Sequence, residues 1–196
     1  MNSTYKSQTV CFTGPRPHKL AGFTKEAYQP VIDTTMQLCK KLYHVGAKQF
    51  ISGGAQGFDM LAFETANKLK SVHPDIKNVV YIPFTDYDKY FADYGLFSKN
   101  YARNLFAKAD EVKYVSQSDN LDREMATILL NKRNEAMVND SDIVIALYPD
   151  GSWLTAEHSG TANCMRYAKQ KGKTIYQIKY ACNGKCITDI KIVRVN

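Results

Sequence analysis

No stretch of this 196-residue chain approaches the ~18 consecutive apolar residues of a membrane-spanning helix. The opening segment, MNSTYKSQTV, has no apolar core of the kind a secretory signal needs, so a cytoplasmic protein with no membrane contact is expected. Lysine and arginine outnumber the acids 26 to 19, for a formal charge of +7, yet they never gather into a long basic run. That scatter suits a solvated surface better than a nucleic-acid stripe, unless folding collects the charges on one face. Cysteine is sparse and odd in number: Cys11, Cys39, Cys164, Cys182 and Cys186. No second Cys or His pair stands at zinc-ligand spacing, so no metal is expected and buried reduced thiols are the simpler assignment. The spacing of Cys182 and Cys186 around Asn183-Gly184-Lys185 leaves a disulfide across that turn open. Neither G-x-G-x-x-G nor a Walker A loop occurs, and no cofactor is expected. With no repeat, low-complexity tract or linker, one domain spanning 1–196 is the natural reading.

What is present is an alternation. Short β-rich runs, TVCFT (9–13), KQFIS (48–52), NVVYIPF (78–84), EVKYV (111–115), DIVIALY (142–148) and KTIYQI (173–178), are separated by segments of helical period. From Pro30, the positions Ile32, Thr35, Cys39, Leu42 and Val45 mark one helix face that stops at Gly46. Phe58, Leu61, Ala62, Thr65, Leu69 and Val72 mark a second, and Tyr101, Leu105, Phe106 and Ala109 a third. A fourth helix is expected from about Leu121 to Val138, and a fifth over TANCMRYAKQKG (161–172). The end of the chain reads as a hairpin around Asn183-Gly184. Strand and helix in turn imply an α/β, Rossmann-like, doubly wound and mostly parallel sheet with flanking helices and a C-terminal antiparallel hairpin.

Ligands of such sheets bind beyond the carboxyl ends of the strands, near the reversal of strand order. Four junctions there carry unusual residues: TGPRPHKL (13–20), SGGAQGFD (52–59), IPF (82–84) and YPDGSWLTAEHSGT (148–161). In the second, Gly53, Gly54 and Gly57 either expose backbone amides to an anion or simply make a tight turn. Ser52 and Gln56 lie in the same bend, and Asp59 either meets a ribose hydroxyl or caps the helix. In the fourth, the amides of Gly160 and Thr161 and the hydroxyls of Ser159 and Thr161 form a second candidate cradle, unless they only cap a helix. In the first, Gly14 precedes Arg16, which sits between two prolines as either a stiffened anion clamp or a surface arginine. Pro83 is the candidate from the third. His18 is a polar loop residue, while Tyr148 and Trp153 either stack on a base or fill a core or lid.

Taken together these junctions resemble the superfamily that links the DNA-processing protein DprA with the LOG phosphoribohydrolases, and within it the YpsA branch of bacterial and phage proteins. FTGPRPHKL resembles that branch's opening motif, with Pro15 where a histidine is common. ISGGAQGFDMLAFETA is similar to the DprA-type SGGARGID signature. RNEAMVNDSDIVIALYPDGSWLTAEHSGTANC follows the branch's Arg-Asn pair, acidic strand start and Gly-Thr helix opening. The resemblance spans about residues 9–178. It implies a nucleotide or nucleotide-derived ligand, with Gly53, Gly54, Gly57, Gly160 and Thr161 around its phosphate and ribose. Arg133 and Asn134 would face the same cleft, although alone Arg133 reads equally as a surface helix residue. Relatives commonly dimerise, so a homodimer or higher homo-oligomer is expected. LOG enzymes carry a glutamate two residues beyond Gly-Thr's alanine position, where this chain has Cys164. A thiol cannot stabilise the oxocarbenium-like centre of N-glycoside cleavage as a carboxylate does.

Three functions therefore stand in order. The first is binding of a nucleotide or phosphorylated nucleotide derivative by a sensor or sequestering protein. The second is a nucleoside-phosphate N-glycosidase with a displaced acid, for which Asp59, Glu64 and Glu157 are the candidates. The third is DprA-like single-stranded DNA binding, encouraged by the charge of +7 and opposed by its scatter.

Overall fold

In a computed structural model the chain is described over residues 7–20, 24–119, 121–149, 151–183 and 186–195. The strands are β1 (Gln8–Thr13), β2 (Ala47–Ser52), β3 (Lys77–Ile82), β4 (Glu111–Tyr114), β5 (Ile143–Leu147), β6 (Thr174–Cys182) and β7 (Ile187–Arg194). The helices are α1 (Lys25–His44), α2 (Phe58–Lys70), α3 (Lys99–Phe106), α4 (Arg123–Asn139) and α5 (Gly160–Gln170). The strands form one sheet in the order β4-β3-β2-β1-β5-β6-β7, parallel except for the antiparallel β6–β7 pair. The fold is therefore the expected Rossmann-like α/β sheet with a C-terminal hairpin. The turn residues Gly184 and Lys185, on which the Asn-Gly hairpin expectation rests, lie outside the described residues.

Each strand feeds both faces of the sheet, because successive side chains alternate. Val10, Phe12 and Phe50 point toward α1 and α2, with Val31, Leu38, Phe58 and Leu61 in the same cluster. Cys11, Ile51, Val144 and Ala146 point the other way and pack with Met137, Val138, Ala162 and Met165 of α4 and α5. All five residues of β5 are buried, as a central parallel strand covered on both faces requires.

The structure moves several boundaries. α1 begins at Lys25 rather than at Pro30, with Thr24 as its cap accepting from the Ala27 amide. Pro30 lies inside the helix; proline's fit to a first helical turn makes it an attractive start signal, but Tyr28, two residues earlier, is already helical and buried. Val45 and Val72 fall just past α1 and α2 and are exposed, so neither belongs to the apolar faces assigned to them. Cys182 and Cys186 are exposed and form no disulfide, while Cys11, Cys39 and Cys164 are buried as expected.

Candidate functional site

Strand order reverses between β1 and β5, so the loops leaving Thr13 and Leu147 part and leave a crevice. A cleft of about 810 Å³ lies there, bounded by the loop after β1, the start of α2, the inner side of α4 and the segment that leads into α5. Of the residues singled out from the sequence, it gathers Gly14, Arg16, Asp59, Arg133, Asn134, Ser159, Gly160 and Thr161. Ser52, Gly53, Gly54, Gln56, Gly57 and Pro83 do not line it.

The reason is visible in the SGGAQGFD bend, whose polar groups hold the protein to itself. Ser52 Oγ donates to the Asp59 carbonyl at 2.8 Å and accepts from the Gly54 amide at 3.2 Å. Gln56 ties down the 92–97 loop, donating to the carbonyls of Ala92 and Phe97 and accepting from the Ala92 amide. The Phe58 amide, at the start of α2, donates to the Pro15 carbonyl at 3.3 Å. The Gly14 and Ala55 amides donate to the Asp59 carboxyl. Gly57 has φ 102°, and a Cβ there would strike the Pro15 carbonyl. Gly53 is needed for a different reason: a Cβ would overlap the Arg133 guanidinium, whose Nη1 donates to the Gly53 carbonyl. At this bend the glycines pack two loops and an arginine together, and the Gly54, Ala55 and Phe58 amides have acceptors within the protein. Pro83 is buried at the end of β3, away from the crevice.

The α5 junction is open. Ser159 Oγ accepts from the Ala162 amide at 3.2 Å, which makes it the helix cap. Beyond it, the Gly160 and Thr161 amides bond to no acceptor among the described residues. A Cβ on Gly160 would meet nothing within 4 Å. His158, immediately before the cap, is held at φ 52°, which turns the chain into the helix. Two free amides at the positive end of a helix dipole make an anion site without a charged side chain.

Charged side chains complete the cleft. Arg133 is only 4% exposed, and its Nη1 lies 3.7 Å from Asp59 Oδ2. Its Nε has no hydrogen-bond partner, an unusual state for a buried guanidinium. Arg16 donates from Nη2 to the Tyr87 hydroxyl at 2.7 Å, so its stiff loop is held by the turn after β3. Burial pushes the Asp59 carboxyl above its ordinary value of 3.8, against the opposing pull of Arg133, Arg16 and the Ala55 and Gly14 amides. Burial likewise pushes the Cys164 thiol up to about 12, a hydrogen bond with Thr13 opposing it, so the residue at the LOG glutamate position is a neutral thiol. Lys19, Arg123 and Tyr180 also line the cleft. Lys19 stands inside the first quoted junction, but Arg123 and Tyr180 come from α4 and β6, where no local pattern distinguishes them. Tyr148 lines the cleft, whereas Trp153 is buried against α5, so of the two aromatics only Tyr148 can meet a ligand. Among the described residues no group of three or more His, Cys, Asp or Glu side chains converges, and no helix is long and apolar enough to cross a membrane.

Comparison with known proteins fits this architecture. The chain is 36% identical over 129 residues to the uncharacterized SPbeta prophage-derived protein YoqJ of Bacillus subtilis (strain 168), an alignment covering 62% of this chain and 70% of that one. The model of the YspA SLOG family (YpsA) matches residues 10–182, from β1 through the last residue of β6. The junctions that shape the crevice all fall within that match, and the chain belongs to the YspA SLOG family.

Proposed function

We propose that the chain binds a nucleotide or a nucleotide-derived phosphorylated small molecule in the crevice, as a sensor or sequestering protein. The observation that carries this reading is the open α5 terminus, where the Gly160 and Thr161 amides face the cleft without an acceptor among the described residues. The buried Arg133 with its unpartnered Nε supports it from the opposite wall. A phosphate at α5 would place the adjoining sugar in the cleft that Arg133, Arg16 and Tyr148 line. Membership of the SLOG family agrees with a nucleotide-related ligand. Association into a homodimer belongs to the same proposal.

Titration calorimetry against nucleotides, ADP-ribose isomers and cyclic nucleotides tests it. At least one should bind, and Gly160→Asp should weaken that binding by about tenfold or more, because it places a carboxylate in the anion site. The open space at Gly160 means the variant should fold. Silence from every ligand, or full affinity in Gly160→Asp, overturns the proposal.

N-glycoside cleavage is a second reading, and one observation favours it: Asp59 is a cleft carboxyl held toward its protonated form by burial. Its oxygens already accept two backbone amides, which is the posture of a clasp rather than of an acid free to move. Chromatography of nucleotides incubated with the protein decides the matter. Release of free base that disappears in Asp59→Asn would establish the hydrolase.

A further inference from the structure

A second depression of about 350 Å³ runs between α4 and α5, lined chiefly by Asn131, Asn134, Glu135, Arg166, Tyr167 and Gln170. It is continuous with the crevice, since Asn131, Asn134 and Asn163 border both. These residues recur at intervals of three and four along each helix, so they occupy the sides that the two helices turn toward one another. Neighbouring helices ordinarily fill such a seam with apolar side chains. Here four of the eight lining residues carry amides, and the side chains of Asn131, Asn134 and Gln170 make no hydrogen bond among the described residues.

Charge separates this groove from the crevice. The crevice carries Arg16, Lys19, Arg123 and Arg133 against two acids, Asp59 and Glu157. In the groove, Glu135 is accompanied by a single arginine whose Nη1 and Nη2 already donate to protein acceptors. Arg166 Nη1 donates to the carbonyls of Trp153 at 2.7 Å and Ala156 at 2.9 Å, and its Nη2 donates to Asn163 Oδ1. What Arg166 offers is its flat guanidinium face rather than its charge. Tyr167 is fixed similarly, its hydroxyl donating to Asn139 Oδ1 at 3.1 Å. Planar, immobilised groups and free amides suit a flat, neutral molecule with donors and acceptors along its edge. Asn163 lies two residues beyond Thr161, about 3 Å further along the helix axis, so the groove begins within one turn of the anion site.

We infer that the groove between α4 and α5 receives the nucleobase of the ligand whose phosphate sits at the start of α5. This rests on the proposed function and extends it: the phosphate supplies attachment, and the amide-lined groove discriminates among bases. Asn131, Asn134 and Gln170 pair with the base edge, and Glu135 accepts from an exocyclic amine.

Calorimetry with the full chain, using ribose 5-phosphate beside the four common ribonucleoside 5′-monophosphates, separates the two ideas. The best nucleotide should bind about tenfold or more tightly than ribose 5-phosphate, the gain of a few hydrogen bonds and a stacked face. Glu135→Ala combined with Gln170→Ala removes two exposed side chains that border the groove and not the crevice. The double variant should cut that preference to about threefold or less, with ribose 5-phosphate affinity serving as the reference for an intact phosphate site. Equal binding of nucleotides and ribose 5-phosphate by the unaltered chain overturns the base site and spares the phosphate site. A preference that survives the double variant also overturns it. Failure of ribose 5-phosphate and all four nucleotides overturns the base site and leaves the phosphate site to the wider ligand panel.

Discussion

The bend before α2 and the bend before α5 have similar composition, with serine, glycine and a small residue opening a helix beside the same crevice. They do opposite work. At α2 the polar groups are consumed inside the protein: Ser52 bridges two backbone groups, Phe58 reaches the Pro15 carbonyl, and Asp59 takes two amides. At α5 the Ala162 and Asn163 amides find acceptors in Ser159, and the two amides ahead of them have none among the described residues. A glycine-rich turn is thus a statement about close approach, and what approaches is settled by the surrounding chain. At Gly57 it is the β1 loop; at Gly160 there is only solvent space.

Substitutions at matched positions sharpen that contrast. Gly57→Ala combines a left-handed backbone with a collision against Pro15 and should destabilise by about 3 kcal/mol, read as the shift of a urea midpoint. A loss under about 1 kcal/mol would mean the α2 bend is as free as the α5 bend. Asp59→Asn should cost about 2 kcal/mol, because its NH2 brings two donors into a site already occupied by two backbone amides and Arg133. This deficit depends on pH. The folded Asp59 carboxyl sits above its unfolded value of 3.8, so its contribution is complete below that pH and declines as pH rises through the folded value. The gap between the two proteins should therefore narrow with rising pH in thermal melts, and a widening gap would reverse the sign.

The serines give the next comparison. Ser52→Ala leaves the buried Gly54 amide without its acceptor and should cost about 2 kcal/mol, whereas Ser159→Ala removes one partly exposed cap and should cost about 1 kcal/mol. Chemical denaturation of the two variants side by side reads the difference directly. Smallest of all is Gly160→Ala, expected within about 0.5 kcal/mol of the parent because the new Cβ meets nothing.

Much of the fold was legible. Alternation of β-rich runs with helical periods marked the six parallel strands in place; the central β5 buries all five residues and is apolar along its length, whereas the edge strand β4 leaves Val112 and Tyr114 exposed. The start of α1 was not legible, because Thr24 as a cap outweighs the start signal of Pro30. Half-legible describes the site. Gly14, Arg16, Asp59 and the Ser159-Gly160-Thr161 segment were marked by their place after a strand, and they do converge. Arg123 and Tyr180 were hidden because each reaches the cleft from an element whose own pattern is unremarkable.

The order of apolar and helical segments, and the small residues at the junctions, are local properties, and the amino-acid sequence alone determined them. Which bend is filled and which is open depends on residues far apart in the chain: Pro15 against Gly57, Arg133 against Gly53, Asp59 against Gly14. A backbone amide is available to a ligand only when no other part of the protein reaches it. That is a matter of three-dimensional neighbours, and only the tertiary structure decided it.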